Sequence, residues 1–239
     1  MKRLLRLQIR NLFHSKMFYF YLIFNSIMVV VGYFLSNIMT ELGGTTTKVF
    51  QSIINLMSSE PDFIGQIFII VFVCSEFHSG TIKNIIGRGY TRFQLLLSKY
   101  VVATIGVLCT NILYVIISFI LYGKYGIGFE TNMIYSIIIC LIAIVVLTVF
   151  YSTIAFVLEK NLIGILTIIF LPRVIDLSFL AIYNFFKVEL DSYWITGILP
   201  KFLDNPTLGN MIQPIILFII YLIIIVFVGN RIIWRKEIK

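Results

Sequence analysis

Ionisable side chains are scarce in this chain, so the places where they gather are informative. The stretch Ser75 to Tyr100, SEFHSGTIKNIIGRGYTRFQLLLSKY, holds Glu76, His78, Lys83, Arg88, Arg92 and Lys99 between long apolar runs. One carboxylate among several cations suits charge pairing and electrostatic docking, and the stretch reads as the place where a soluble partner grips a membrane domain. A second group is Arg173 and Asp176, three residues apart and directly after Pro172, inside another apolar run. They lie roughly 16 Å of helical rise from the start of that run, close to mid-membrane. An ionisable residue at that depth costs about 2.5–3.5 kcal/mol on insertion scales, so it should pair or face a cavity. The spacing permits an internal ion pair, and Pro172 removes a backbone hydrogen bond and favours a kink. A hinge or polar translocation interface and a buried pair that fixes packing fit these residues equally well.

Other chemistries find no footing. No GxxxxGK[ST] phosphate loop, HExxH or GxSxG motif occurs. Two histidines, His14 and His78, are too few for a histidine metal site. Cys74, Cys109 and Cys140 all lie in apolar segments, with neither a disulfide framework nor metal-ligand spacing. No catalytic, cofactor-binding or metal-ligating residue is expected, and the chain reads as a non-enzyme.

The elements that must carry these groups are membrane helices. Of 239 residues 59% are hydrophobic and 13% charged, and the mean hydropathy is +0.99; a soluble domain has roughly 45–50% apolar and about 25% charged residues. The chain is therefore an all-α integral membrane protein, one transmembrane domain over 1–239, with spans at about 17–38, 61–77, 100–122, 133–158, 162–186 and 212–228. Residues 1–16 alternate Lys2, Arg3, Arg6, Arg10 and Lys16 with Leu4, Leu5, Ile9, Leu12 and Phe13, a pattern that fits a basic amphipathic helix on the membrane surface and equally a plain basic retention segment. No cleavable signal is expected. A further interfacial helix is expected around Val49, Phe50, Ile53, Ile54 and Met57, and 187–211 is mixed. Of the 19 Lys and Arg residues, Lys48, Lys124, Lys187 and Lys201 fall on one side, Arg173 falls inside a span, and all the rest fall on the other side. The positive-inside rule then places both termini and the Glu76–Lys99 stretch in the cytoplasm. It also explains the net charge of +8 without nucleic acid.

Within the stretch, Ser79 is placed to cap a short helix over about 80–86, whose Ile82, Ile85 and Ile86 share one face. That face would seat in a partner's groove, with Lys83 beside it for steering. Gly87 and Gly89 end the helix. Thr91 and Gln94 then form a capping box that starts a new helix running into the third span. Glu76, at the inner end of the second span, is expected to meet Arg92.

The pattern Glu76, Gly80, Thr81, Lys83, then Arg88, Gly89, Tyr90, Arg92, then Lys99, with six spans and no ATPase motif, resembles the permease subunits of type-2 (ABC-2) ATP-binding-cassette exporters. It is similar to the small peptide-exporter and the lantibiotic- and bacitracin-immunity permeases of Gram-positive bacteria. The resemblance implies the six-helix exporter fold of the ABC-2 (type V) kind, with an N-terminal connecting helix near Lys2 to Ser15 and a coupling helix near Ser79 to Ile86. It implies that Glu76, Ser79, Gly80, Thr81, Ile82, Lys83, Ile85 and Ile86 couple to the ATPase. Two permease chains, alike or paralogous, would pair in the plasma membrane above two ATPase subunits. ATP and Mg would be bound by those subunits and not by this chain. An amphipathic or antimicrobial peptide, or other apolar cargo, would be exported. The other reading is a subunit of a secondary transporter or channel with no ATPase, which would need ion-coupling residues on several spans, where Arg173 and Asp176 are the candidates.

Overall fold

The computed structural model describes residues 1–41, 63–122, 131–188, 190 and 193–235. The expected interfacial helix around Val49–Met57 and the turn after the third span lie outside them. Among the described residues the chain is all-helical: α1 (Lys2–His14), α2 (Lys16–Glu41), α3 (Phe63–His78), α4 (Thr81–Gly87), α5 (Arg92–Tyr122), α6 (Thr131–Leu158), α7 (Asn161–Phe186), α8 (Ile195–Asp204), a short 3-10 turn (Gly209–Met211) and α9 (Ile212–Arg235). Five helices, α2, α5, α6, α7 and α9, are long and apolar enough to cross a membrane; α3 and α4, bent by 62° at their junction, make a sixth if counted as one span. The chain is a multi-pass membrane protein.

The core forms around α6, which packs against α3, α5, α7, α8 and α9. Among its inward residues are several small ones: Cys140, Ala143, Thr148, Ser152, Thr153 and Ala155 are all buried. In lipid no hydrophobic force separates helix from solvent, so close approach and interhelical hydrogen bonds must do that work, and small residues permit both. Tyr100 of α5 and Thr153 of α6 share a hydrogen bond of 2.6 Å. A Cβ on Gly229 of α9 would lie 2.7 Å from that same Tyr100 oxygen, so three helices close on one point. Gly164 plays the same part for α7, since a Cβ there would lie 2.6 Å from Ile70 of α3. Further along α5, the Asn111 amide donates to the Tyr21 hydroxyl of α2 at 3.1 Å, and the Tyr21 ring stacks on Phe68 of α3 at 5.4 Å.

Boundaries differ from expectation in instructive places. The third span is, as expected, continuous with the helix that starts beside Thr91, 31 residues from Arg92; other bounds move. The last span extends to Arg235 rather than 228. The mixed segment contains a helix, α8, whose Ile195, Ile198, Leu199, Phe202 and Leu203 are buried against α6 and α9. Pro172 lies inside α7, and the helix continues through it.

Candidate functional site

The charged stretch folds into an elbow at the end of the bundle that carries the N-terminus. The chain leaves α3 through Ser79 and turns on Gly80, whose left-handed φ of 66° is the conformation a side chain disfavours. Gly80, not Ser79, occupies the cap position of α4. The Ser79 hydroxyl instead donates to the Glu76 carbonyl at 3.3 Å and shares a hydrogen bond with Thr81 at 2.7 Å. Gly89, with φ 87°, carries the next turn. The capping box then forms as expected: the Thr91 N–H donates to Gln94 Oε1 at 3.1 Å, and the Gln94 N–H donates to Thr91 Oγ1 at 3.2 Å.

At the inside of the elbow lies a buried charge pair. Glu76 meets Lys99 of α5, with Nζ 3.0 Å from Oε1, and this corrects the expected pairing with Arg92. Arg92 sits in the first turn of α5, whereas Lys99 is two turns further in, level with the end of α3. The Lys99 side chain is fully buried and that of Glu76 nearly so. The carboxylate is completed by α1: Gln8 Nε2 donates to Oε2 at 3.0 Å and Asn11 Nδ2 donates to Oε1 at 3.1 Å. The Lys99 ammonium also stands 4.3 Å from the centre of the Phe72 ring, a cation–π contact strengthened by exclusion of water. Its approach to Glu76 is a close ion contact lying outside hydrogen-bond alignment. One carboxylate thus joins α1, α3 and α5.

The sequence pattern of α1 explains how its amides reach that point. Leu4, Gln8 and Leu12 are its buried residues, one turn apart on a single seam. Leu12 lies against Gly106 of α5, where a Cβ would come within 3.0 Å of it. Arg3, Arg6 and Arg10 face outward, as do Lys83 and Arg88 of the elbow. The surface of this end is therefore cationic over a neutralised interior. A polar Gln8 between two leucines of the seam was the signal for an inward partner, and it was not used.

The apolar face of α4 lies elsewhere than expected. Ile82 and Ile85 are buried in the chain's own core and Ile86 is half-buried. They fasten α4 to the bundle and are not an open seat for a partner; Lys83 and Asn84 are the exposed residues. Arg173 and Asp176 are separate from the elbow. Both stand on the exposed flank of α7, and Asp176 is near enough to act on the hydroxyl of Tyr151 in α6. Among the described residues no group of three or more His, Cys, Asp or Glu is arranged to hold a metal.

No protein-family model matches the chain, and no curated protein matches it.

Proposed function

We propose that this chain is the membrane permease subunit of an ATP-driven exporter of the ABC-2 kind, with both termini in the cytoplasm of a bacterial cell and a separate ATPase docked at the elbow. The observation that carries the proposal is the Glu76 node. It makes the surface helix α1 and the inner ends of α3 and α5 into one body, which is what a membrane domain needs if a push from a soluble motor is to reach its spans. The exposed cations Arg3, Arg6, Arg10, Lys83 and Arg88 give that body a docking face. Burial of Ile82 and Ile85 moves recognition from an apolar seat to this charged surface. A second permease chain would cover the outward flank of α7, where Arg173 and Asp176 would otherwise meet lipid at a cost. The cargo would be an amphipathic peptide or another apolar molecule.

The test is co-purification with an ABC ATPase subunit co-expressed as the candidate partner. Lys83→Glu with Arg88→Glu should lower recovery of the ATPase at least tenfold while the permease inserts and dimerises normally; unchanged recovery would refute docking at the elbow. The permease purified alone should hydrolyse no ATP, and hydrolysis by it would refute the division of labour. Single cysteines at 83 and 201, with the native cysteines removed, should label from opposite sides of intact cells.

A further inference from the structure

A cavity of about 400 Å³ opens sideways between α6, α7 and α9. Its wall is formed by Phe150, Val157, Leu158, Leu171, Ile225 and Val228, among others, and exposes only apolar surface although Thr153 and Thr167 also line it. The hydroxyls near it are already spent, since Thr153 bonds Tyr100 and its own helix and Thr167 bonds the Ile163 carbonyl. The cavity lies at the elbow end of the bundle, because Phe156 of α6 packs on Phe77 of α3 with ring centres 5.0 Å apart. From Phe150 to Leu158, and likewise from Ile224 to Ile232, it follows eight residues, about 12 Å of helix. That depth fits within one leaflet of a hydrocarbon core about 30 Å thick.

The rim at this end is basic. Lys160, two residues beyond the lining residue Leu158, and Arg231, next to the last lining residue Ile232 and one turn from Val228, are both exposed. Glu159, in the same turn as Lys160, is half-buried, so the cations are the more accessible charges. An apolar slot one leaflet deep beneath two cations matches one molecule the membrane supplies, a phospholipid with an acyl chain in the slot and an anionic headgroup at the rim.

We propose that the cavity between α6, α7 and α9 is a binding site for one acyl chain of an anionic phospholipid whose headgroup is held by Lys160 and Arg231. The site is independent of any ATPase partner. It needs only that the chain spans a membrane.

The experiment uses the full chain purified in detergent, exchanged against mixed vesicles of phosphatidylglycerol and phosphatidylcholine at one to four, with retained lipid counted by native mass spectrometry. The wild type should retain one phosphatidylglycerol per chain, enriched about tenfold over its share of the mixture. Lys160→Gln with Arg231→Gln touches no packed residue; it should abolish the enrichment and leave a chain-length lipid of either headgroup bound. Val228→Phe, which fills the slot, should remove the retained lipid. Retention by the wild type in the ratio of the mixture overturns the proposal, as does enrichment that survives the charge variant or a folded Val228→Phe that keeps its lipid. If Val228→Phe does not fold, the wild-type enrichment and the charge variant still decide the matter.

Discussion

The helices α6 and α7 are neighbours in the chain, separated by a turn at Glu159 and Lys160, and both are apolar enough to span a membrane. Yet 56% of the most hydrophobic window of α6 is buried inside the chain, against 6% for α7. Mean hydropathy does not by itself separate core from periphery, since the last span, Gly209–Trp234, equals α6 at 3.0 with only 17% of its window buried. What separates them is side-chain size and polarity. Buried α6 carries Ser, Thr, Ala and Cys among its inward residues, while α7 turns Leu, Ile and Phe outward together with Arg173 and Asp176 and buries only Gly164 and Ile168. In a soluble protein the most apolar surface turns inward; in lipid the inward surface is the one whose residues let backbones close up.

The largest expected effect lies on the packed side. Lys99→Met leaves Glu76 buried without its counter-charge and should destabilise the chain by about 3–5 kcal/mol, whereas adding Glu76→Gln should restore most of that loss. Thermal unfolding in detergent measures both, and additive losses would mean that the pair is not coupled. Next comes Ile82→Ala. With Ile82 buried it should cost about 2–5 kcal/mol, where an isoleucine facing a partner would cost the isolated chain almost nothing. Gly164→Val tests the single close approach of α7. Its side chain must displace Ile70, at about 1–3 kcal/mol, and a neutral result would show that α7 is not seated there. The smallest effect belongs to the outer flank of α7. Leu177→Ala should change the stability of the single chain by no more than about 0.5 kcal/mol, and Asp176→Leu should do no worse there while lowering cross-linking between chains if that flank is a dimer surface. Large destabilisation by Leu177→Ala would break the contrast between the two helices.

Much of this architecture was legible in the sequence because membrane spans announce themselves by length and apolarity. The capping box at Thr91 and Gln94 was legible too, because it is satisfied within four residues and depends on nothing distant. The charge node was not, since it joins Gln8 to Glu76 across 68 positions. Choosing Lys99 over Arg92 also requires knowing how α3 and α5 lie against each other. The direction of Ile82 and Ile85 failed for a related reason: a shared face reports that a helix has an apolar side, not whether its own chain or another covers it. The helix α8 was hidden by Gly197 and Pro200, both unfavourable in a helix interior. Burial of Ile195, Ile198, Leu199, Phe202 and Leu203 on one side outweighs them.

The continuity of α5 has a mechanical consequence. Its 31 residues make a rod about 46 Å long, longer than the roughly 30 Å hydrocarbon it crosses. The rod is held near Lys99 by Glu76 and again further along, where Gly106 meets Leu12 and Asn111 donates to Tyr21. Held at several points, it moves with its neighbours as one body. A displacement of the capped end near Thr91 would be passed to the far end near Leu121, more than about 40 Å away by helical rise, through a helix with no break inside the membrane. Spin labels at positions 92 and 121, each read against a label on α6, would give the two displacements and their ratio.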